Sequence, residues 1–253
     1  MSILDSFRLD DKVVIVTGAS SGLGVSFAKA FAEAGAHLVL GARRVEQMAG
    51  TAALVEEAGR KVYTRKTDVV DPEQCQQLVD SAIKVFGRVD VLVNNAGVGT
   101  AVPATRETPD QFRKVVDVNL NGSYWMAQAC GRVMQPGSSI INISSILGIT
   151  TGGLPQAAYS ASKAAVIGLT RDLAQQWGPR KGIRVNALAP GFFQSEMTDE
   201  YQPGYLDTQL PRVMVGRMGD PAELAATAIW LASSAGGYVT GQTIIVDGGL
   251  TIT

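Results

Sequence analysis

The sequence predicts an α/β fold, a single doubly wound parallel sheet of seven strands with helices on both faces. Short β-branched runs alternate with stretches of helical period along the whole chain. Several of those runs are apolar nearly throughout, as expected of strands buried on both faces. The 253 residues, 46% hydrophobic and 18% charged, have an ordinary globular composition and enough length to bury about three quarters of the unfolded surface. Strand–helix–strand repetition gives parallel strands joined by right-handed crossovers.

The predicted strands are "KVVIVT" (12–17), "AHLVLG" (36–41), "KVYTRK" (61–66), "VDVLVN" (89–94), "SSIINIS" (138–144), "IRVNAL" (183–188) and "TIIVD" (243–247). The first, fourth and last are the most uniformly apolar. Between the first two, Phe27, Phe31 and Ala34 share one helical face over 22–34. A later helix starts at "DPEQ", where Asp71 can cap and Pro72 can take the first helical position. The same device opens a helix at "DPAEL" (220–224). With no linker, low-complexity tract or solenoid repeat, the chain reads as one domain from 1 to 253. The least regular stretch is 190–219, with Pro190, Pro203, Pro211, Gly191 and Gly204 among large apolar residues. It is too long for an ordinary connection and is predicted to be a substrate lid.

Composition excludes several functions. A formal net charge of −1 supplies no field for nucleic acid or anionic lipid. The two cysteines, Cys75 and Cys130, are too few for a disulfide framework and read as buried free thiols. The one histidine, His37, lies in an apolar run without metal-ligand neighbours, so a zinc chemistry is discarded. The N-terminus lacks a signal-peptide pattern, and no segment approaches the ~20 apolar residues of a membrane span. The expected setting is the cytoplasm.

Open α/β sheets bind ligands beyond the carboxyl ends of their strands. The first strand runs into "TGASSGLG", Thr17 to Gly24. Its glycines permit a tight turn and close backbone approach, and the following helix start presents unpaired N–H groups to a pyrophosphate. After the second strand, where an NAD site carries an acid for the adenosine 2′-hydroxyl, the sequence reads "GARR". Ala42 replaces the acid, and Arg43 and Arg44 offer cations for a 2′-phosphate. NADPH is therefore expected over NADH.

In "AYSASKAA" (158–165), Tyr159 and Lys163 lie at i and i+4, on one helix face, with only small residues between. A free phenol has a pKa near 10. A neighbouring ammonium favours the phenolate, bringing proton exchange toward working pH. Such a pair also occurs on ordinary surface helices. Here Ser144 and Ser145 close a strand at the same sheet edge, and Asn119 stands in a helical stretch where its amide helps helix formation little.

With these residues in place the chain resembles the short-chain dehydrogenase/reductase family, in its branch of Rossmann-type single domains. The resemblance covers essentially the whole chain. It runs through "TGASSGLG", Asp68–Val69, "NNAG" (94–97), "VN" (118–119), the serines ending at Ser145, "YSASK", "RVNALAPG" (184–191) and "YVTGQTIIVDGG" (238–249). It implies that Tyr159 is the proton donor or acceptor, that Lys163 lowers its pKa and holds the nicotinamide ribose, and that Ser145 binds the reacting oxygen. Asn119 would support a water relay to Lys163. Gly18, Ser20, Ser21, Gly22, Leu23 and Gly24 would form the pyrophosphate turn, and Asp68 and Val69 would hold the adenine. Asn95, Ala96 and Gly97 would lie along the cofactor, and Pro190, Gly191, Phe193 and Ser195 beside the nicotinamide. Ser195 stands where the family usually has threonine. Ser21 stands where many NADP-preferring relatives have a basic residue, which leaves Arg43 as the main determinant. The stretch from Ser145 to Tyr159 is one residue longer than in many relatives, enlarging the loop over the substrate.

The implied reaction is hydride transfer between nicotinamide and a carbonyl or secondary alcohol, without metal. The lid residues Phe192, Phe193, Met197, Tyr201, Tyr205, Leu206, Leu210, Val213 and Met214 suggest a largely apolar ketone. A 3-oxoacyl thioester on acyl carrier protein, with Arg180 and Lys181 as part of a docking patch, and a polyol or other secondary alcohol are the alternatives. A non-catalytic NADPH-binding sensor would be expected to lack Tyr159, Lys163 or Ser145. An extended-branch epimerase would add a C-terminal domain. The resemblance also implies a homo-oligomer, tetramer or dimer.

Overall fold

A computed structural model describes residues 2–199 and 204–253. Of the predicted lid, Tyr201 and Pro203 lie outside the described residues, as does the side chain of Met197.

The seven strands are β1 (Val13–Thr17), β2 (His37–Ala42), β3 (Val62–Lys66), β4 (Val91–Asn94), β5 (Ser139–Ile143), β6 (Arg184–Pro190) and β7 (Thr243–Val246). They form one all-parallel sheet in the order 3-2-1-4-5-6-7. The main helices between them are α1 (Gly22–Glu33), α2 (Val45–Glu57), α3 (Pro72–Phe86), α4 (Pro109–Val116), α5 (Gly122–Val133) and α6 (Ala157–Lys181). Two short helices follow β6, α7 (Glu196–Asp199) and α8 (Tyr205–Gln209), and then α9 (Pro221–Ala232). Each of the seven predicted strands forms, with its ends within two residues of the predicted ones.

Alternation along β1 shows why the sheet is covered twice. Val14 and Val16 point to one side, into a core with Phe27, Phe31, Leu38, Leu40 and Met48. Val13 and Ile15 point to the other, into a core with Leu78, Leu92, Met126 and Ile140. The first core is closed by α1, α2 and α9, the second by α3, α5 and α6. Cys75 and Cys130 are buried free thiols in the second core, and burial pushes Cys75 up to about 12. The caps form as the sequence requires. Asp71 accepts from the backbone N–H of Glu73 and Gln74, and Asp220 makes a capping box with Glu223. The expectation fails at β7. Its apolar run is only half-buried and Ile245 is 42% exposed, because β7 is an edge strand.

Phe27 is fully buried on α1. Phe27→Ala should destabilise the protein by about 3–5 kcal/mol, read by urea unfolding. A loss under about 1 kcal/mol would show that α1 is not seated on the sheet as described.

Candidate active site

The strand order turns back between β1 and β4, so the chain leaves these neighbouring strands in different directions and opens a crevice at their carboxyl ends. A cavity of about 480 Å³ lies there, within the size range of small-molecule sites.

One wall is the glycine turn. Gly18 and Gly22 adopt φ of +65° and +54°, conformations that L side chains rarely take. A Cβ on Gly24 would run into the Gly18 carbonyl oxygen, so only glycine lets the helix approach the turn this closely. Asn95 braces the turn through Nδ2, which donates to the carbonyls of Thr17 (3.0 Å) and Gly18 (3.3 Å). Thr17 Oγ1 in turn accepts from the N–H groups of Asn95 and Ala96. Ser21 precedes α1 without capping it, so its side chain leaves the helix's first N–H groups unclaimed. A backbone cradle with positive helix dipole and no side chain in the way fits a dinucleotide pyrophosphate.

The end predicted for adenosine lies beyond β2 and β3. Ala42 is buried where an acid would stand. Arg43 is exposed, lines the cavity and makes no hydrogen bond or ion pair among the described residues. Arg44 is committed. Its Nη2 donates to Ser21 Oγ at 2.6 Å and to Glu196 Oε2 at 2.8 Å, and its Nε lies 3.4 Å from Ser20 Oγ. Asp68 and Val69 line the same end.

At the other end, α6 carries Tyr159 and Lys163 beneath β5. Both are buried, at 8% and 4% exposure, and both line the cavity. Lys163 Nζ donates to the Ile143 carbonyl at 2.8 Å and sits 5.6 Å from the centre of the Tyr159 ring. Burial disfavours its cation and lowers its pKa from 10.5 to about 8. The ammonium still dominates at neutral pH. The two serines after β5 separate in role. Ser144 Oγ donates to the Lys163 carbonyl and anchors α6. Ser145 Oγ accepts from the Leu147 N–H at 3.1 Å, which leaves its own O–H to donate.

Of the predicted site residues, Gly18, Ser20, Ser21, Gly22, Leu23, Arg43, Arg44, Asp68, Val69, Asn95, Ala96, Gly97, Ser145, Tyr159, Lys163, Pro190, Gly191, Phe193 and Ser195 share this one cavity. Gly24 and Asn119 do not line it. Gly24 is the contact point behind the turn. Asn119 sits 1% exposed in a π-helical turn, Asp117–Asn121, rather than in regular helix. Its Oδ1 accepts from the Val98 N–H, and its Nδ2 donates to the Val98 carbonyl and to Ser162 Oγ. The amide thus clamps the chain after β4 onto α6. A Cβ on Gly97 would still lie 3.3 Å from Asn119 Oδ1 and 3.5 Å from Lys163 Nζ, so Asn119 stands directly behind the cavity wall that Gly97 and Lys163 form.

The sequence reading missed Thr17 as a brace, Lys114 as a lining cation and Glu196 as the partner of Arg44. Lys114 stands four residues before Val118, which also lines the cavity, a helical spacing that carried a signal. Glu196 lies 152 residues from Arg44 and carried none. The stretch predicted to be a lid is partly core. Phe193 belongs to the first core and is bridged to Gly219. Phe192, Val213, Tyr205, Leu206 and Leu210 form an apolar cluster with Tyr159, Ile146 and Leu147. Met214, at 67% exposure, stays outside.

This fold and cavity define a dinucleotide-binding enzyme scaffold. Residues 18–251 match the family model described as enoyl-(acyl carrier protein) reductase. The chain is 39% identical to the 3-oxoacyl-[acyl-carrier-protein] reductase FabG of Thermotoga maritima, over 97% of this chain and 100% of that one. It is 41% identical to galactitol 2-dehydrogenase (L-tagatose-forming) of Cereibacter sphaeroides, over 97% of each. A crystal structure of gluconate 5-dehydrogenase from Burkholderia cenocepacia, in complex with NADP and tartrate, superposes with a TM-score of 0.93 at 36% identity over the whole of both chains. The protein belongs to the short-chain dehydrogenase/reductase family. It is an oxidoreductase of CH–OH and C=O groups that uses NAD(P)(H). No helix among the described residues is long and apolar enough to cross a membrane.

The lowered pKa of Lys163 has a measurable sign. Between about 8, folded, and 10.5, unfolded, the unfolded chain binds more protons at this group, so its contribution to stability rises with pH. The stability of wild type minus that of Lys163→Met should increase by up to about 3 kcal/mol from pH 8 to 10.5, followed by denaturant unfolding. A pH-independent difference would refute the buried, destabilised ammonium.

Proposed function

We propose that the protein is an NADPH-dependent reductase of a largely apolar ketone. The observation that carries this reading is the gathering of Tyr159, Lys163 and Ser145 at one end of a cavity whose other end offers two arginines and no carboxylate in the place of Ala42. A bound nicotinamide dinucleotide supplies hydride transfer. Everything else falls to the chain's own residues.

Tyr159 gives the proton to the carbonyl oxygen through its hydroxyl, or takes it in the reverse direction. Ser145 donates its O–H to the same oxygen, being already held from behind by the Leu147 N–H. Both donors favour the charge that develops on that oxygen. Lys163 keeps a positive charge beside the phenol and anchors the ribose, and Asn119 holds Ser162 and the chain at Val98 so that this geometry persists. The turn from Gly18 to Gly24 holds the pyrophosphate, Asp68 and Val69 the adenine, and Asn95 to Gly97 the middle of the cofactor. Arg43 and Arg44 hold the 2′-phosphate.

Residues 190–219 act as the substrate lid. Support comes from Phe192, Tyr205, Leu206, Leu210 and Val213, which pack around Tyr159 with Ile146, Leu147 and Val98. This surround is apolar and favours a ketone with hydrocarbon flanks over a polyol. The FabG relatives keep the 3-oxoacyl thioester as a second reading. Lys181, one of its two docking cations, is spent on the Gly131 carbonyl at 2.7 Å, which weighs against it. The protein acts in the cytoplasm as a homo-oligomer. The half-exposed edge strand β7, with Ile245, and the fully exposed Tyr238 support a covered edge.

A panel of ketones, 3-oxoacyl thioesters and polyols assayed at 340 nm with both cofactors tests the reading. NADPH oxidation fastest with apolar ketones is expected. Tight NADPH binding without turnover of any compound would leave only a sensor. Tyr159→Phe should lower kcat by at least about 10²–10⁴-fold, the usual worth of a positioned proton donor, while NADPH still binds. Retained turnover would overturn its role. Arg43→Ala should weaken NADPH at least fivefold more than NADH, as measured by fluorescence titration, given that a hydrogen-bonded charge is worth about 1.5–3 kcal/mol. Equal losses would remove Arg43 from the 2′-phosphate.

A further inference from the structure

Arg44 and Glu196 form a pair across the mouth of the cavity. Arg44 stands at the end of β2, Glu196 at the start of the lid, and 152 residues separate them. Their closest atoms are Nη2 and Oε2 at 2.8 Å, with Nη1 and Oε1 at 3.5 Å. The same guanidinium donates to Ser21 Oγ at 2.6 Å. Hydrogen bonds from Arg44 and Ser21 hold the Glu196 carboxyl below its usual range. The lid backbone also reaches the glycine turn. A Cβ on Gly22 would lie 3.4 Å from Ser195 Cβ and 3.9 Å from the Glu196 nitrogen.

Two consequences follow. Position 21 lacks the basic residue that the resemblance leads one to expect, yet Arg44 brings its charge to that point. And in this structure the charge is already answered by a carboxylate belonging to the lid. We propose that Glu196 is an internal stand-in for the cofactor's 2′-phosphate. A 2′-phosphorylated nucleotide trades places with Glu196 on Arg44 and Ser21, and the exchange detaches the start of the lid from the glycine turn. NADH lacks the phosphate and cannot make the exchange. Glu196 is therefore a specificity-determining residue, and it ties the state of the lid to which cofactor is bound. No bond is made or broken in the exchange. One dianion replaces one carboxylate on the same donors. The inference rests on the NADPH reading above and goes beyond it.

The exposed half of the pair makes the test tractable, since Glu196→Gln leaves the core untouched. The side chains of Arg44 and Glu196 are 48% and 54% exposed, where a pair is worth up to about 1 kcal/mol, or roughly fivefold. Glu196→Gln should tighten NADPH about three- to fivefold and change NADH less than twofold, by fluorescence titration. In wild type, adenosine 2′,5′-bisphosphate should increase limited proteolysis within 190–199 where ADP does not. In Glu196→Gln both ligands should leave the segment equally cleavable. Equal tightening of NADPH and NADH would reduce Glu196 to a general repulsive charge and overturn the exchange. So would wild-type cleavage indifferent to the 2′-phosphate. A wild type that binds NADPH no tighter than NADH, and an Arg43→Ala variant that changes neither, would instead bring down the cofactor reading on which the inference stands.

Discussion

Lys163 carries its charge where almost no water reaches it. A buried ammonium is costly, and this one is held by the Ile143 carbonyl and by the face of the Tyr159 ring. The arrangement stands only if α6 is held against the end of β5 to within a hydrogen bond. Three contacts do that. Ser144 donates to the Lys163 carbonyl. Asn119 donates to Ser162. Gly148 lies so close to the Lys163–Ala164 backbone that a Cβ there would come within 2.7 Å of it. The proposed proton chemistry inherits its geometry from these contacts, which leave Tyr159 and Ser145 facing one cavity.

The proposed nucleotide end obeys a similar rule, with backbone in place of side chains. The turn after β1 is fixed by Asn95, which belongs to the chain leaving β4, and by Thr17, which answers it. A parallel sheet that reverses its order between these two strands brings both segments to one edge. The same edge receives β6 and the segment that follows it. The proposed hydride donor and the proposed proton donor therefore meet because strand order, not sequence proximity, puts their supports side by side.

Much of this was legible in the residues. The strand runs, the Asp–Pro helix starts and the apolar face of Phe27 and Phe31 were read correctly because each depends on neighbours within one or two turns. The errors lie where a distant group intervenes. The run "VDVLVN" becomes regular strand only at Val91, although Asp90 already exchanges backbone hydrogen bonds with Val13 and Ser139, and its carboxylate accepts from the Val13 N–H and from Arg88, 77 and 2 residues away. The run at β7 has the composition of a buried strand and the exposure of an edge, since nothing local says which strand will be outermost.

The sequence by itself determined the periodicities, the caps, the glycines that a phosphate turn requires and the one-turn spacing of Tyr159 and Lys163. These are properties of short segments, set by backbone sterics and by hydrogen bonds between near neighbours. Only the tertiary structure decided which of two adjacent serines spends its hydroxyl on the Lys163 carbonyl, that Asn119 clamps rather than lines the cavity, that burial brings Lys163 to about 8, and that Arg44 is matched by Glu196. Each of these depends on where two independently formed segments come to rest against each other. Solvent exclusion and charge pairing act through space, and no pattern along the chain records them.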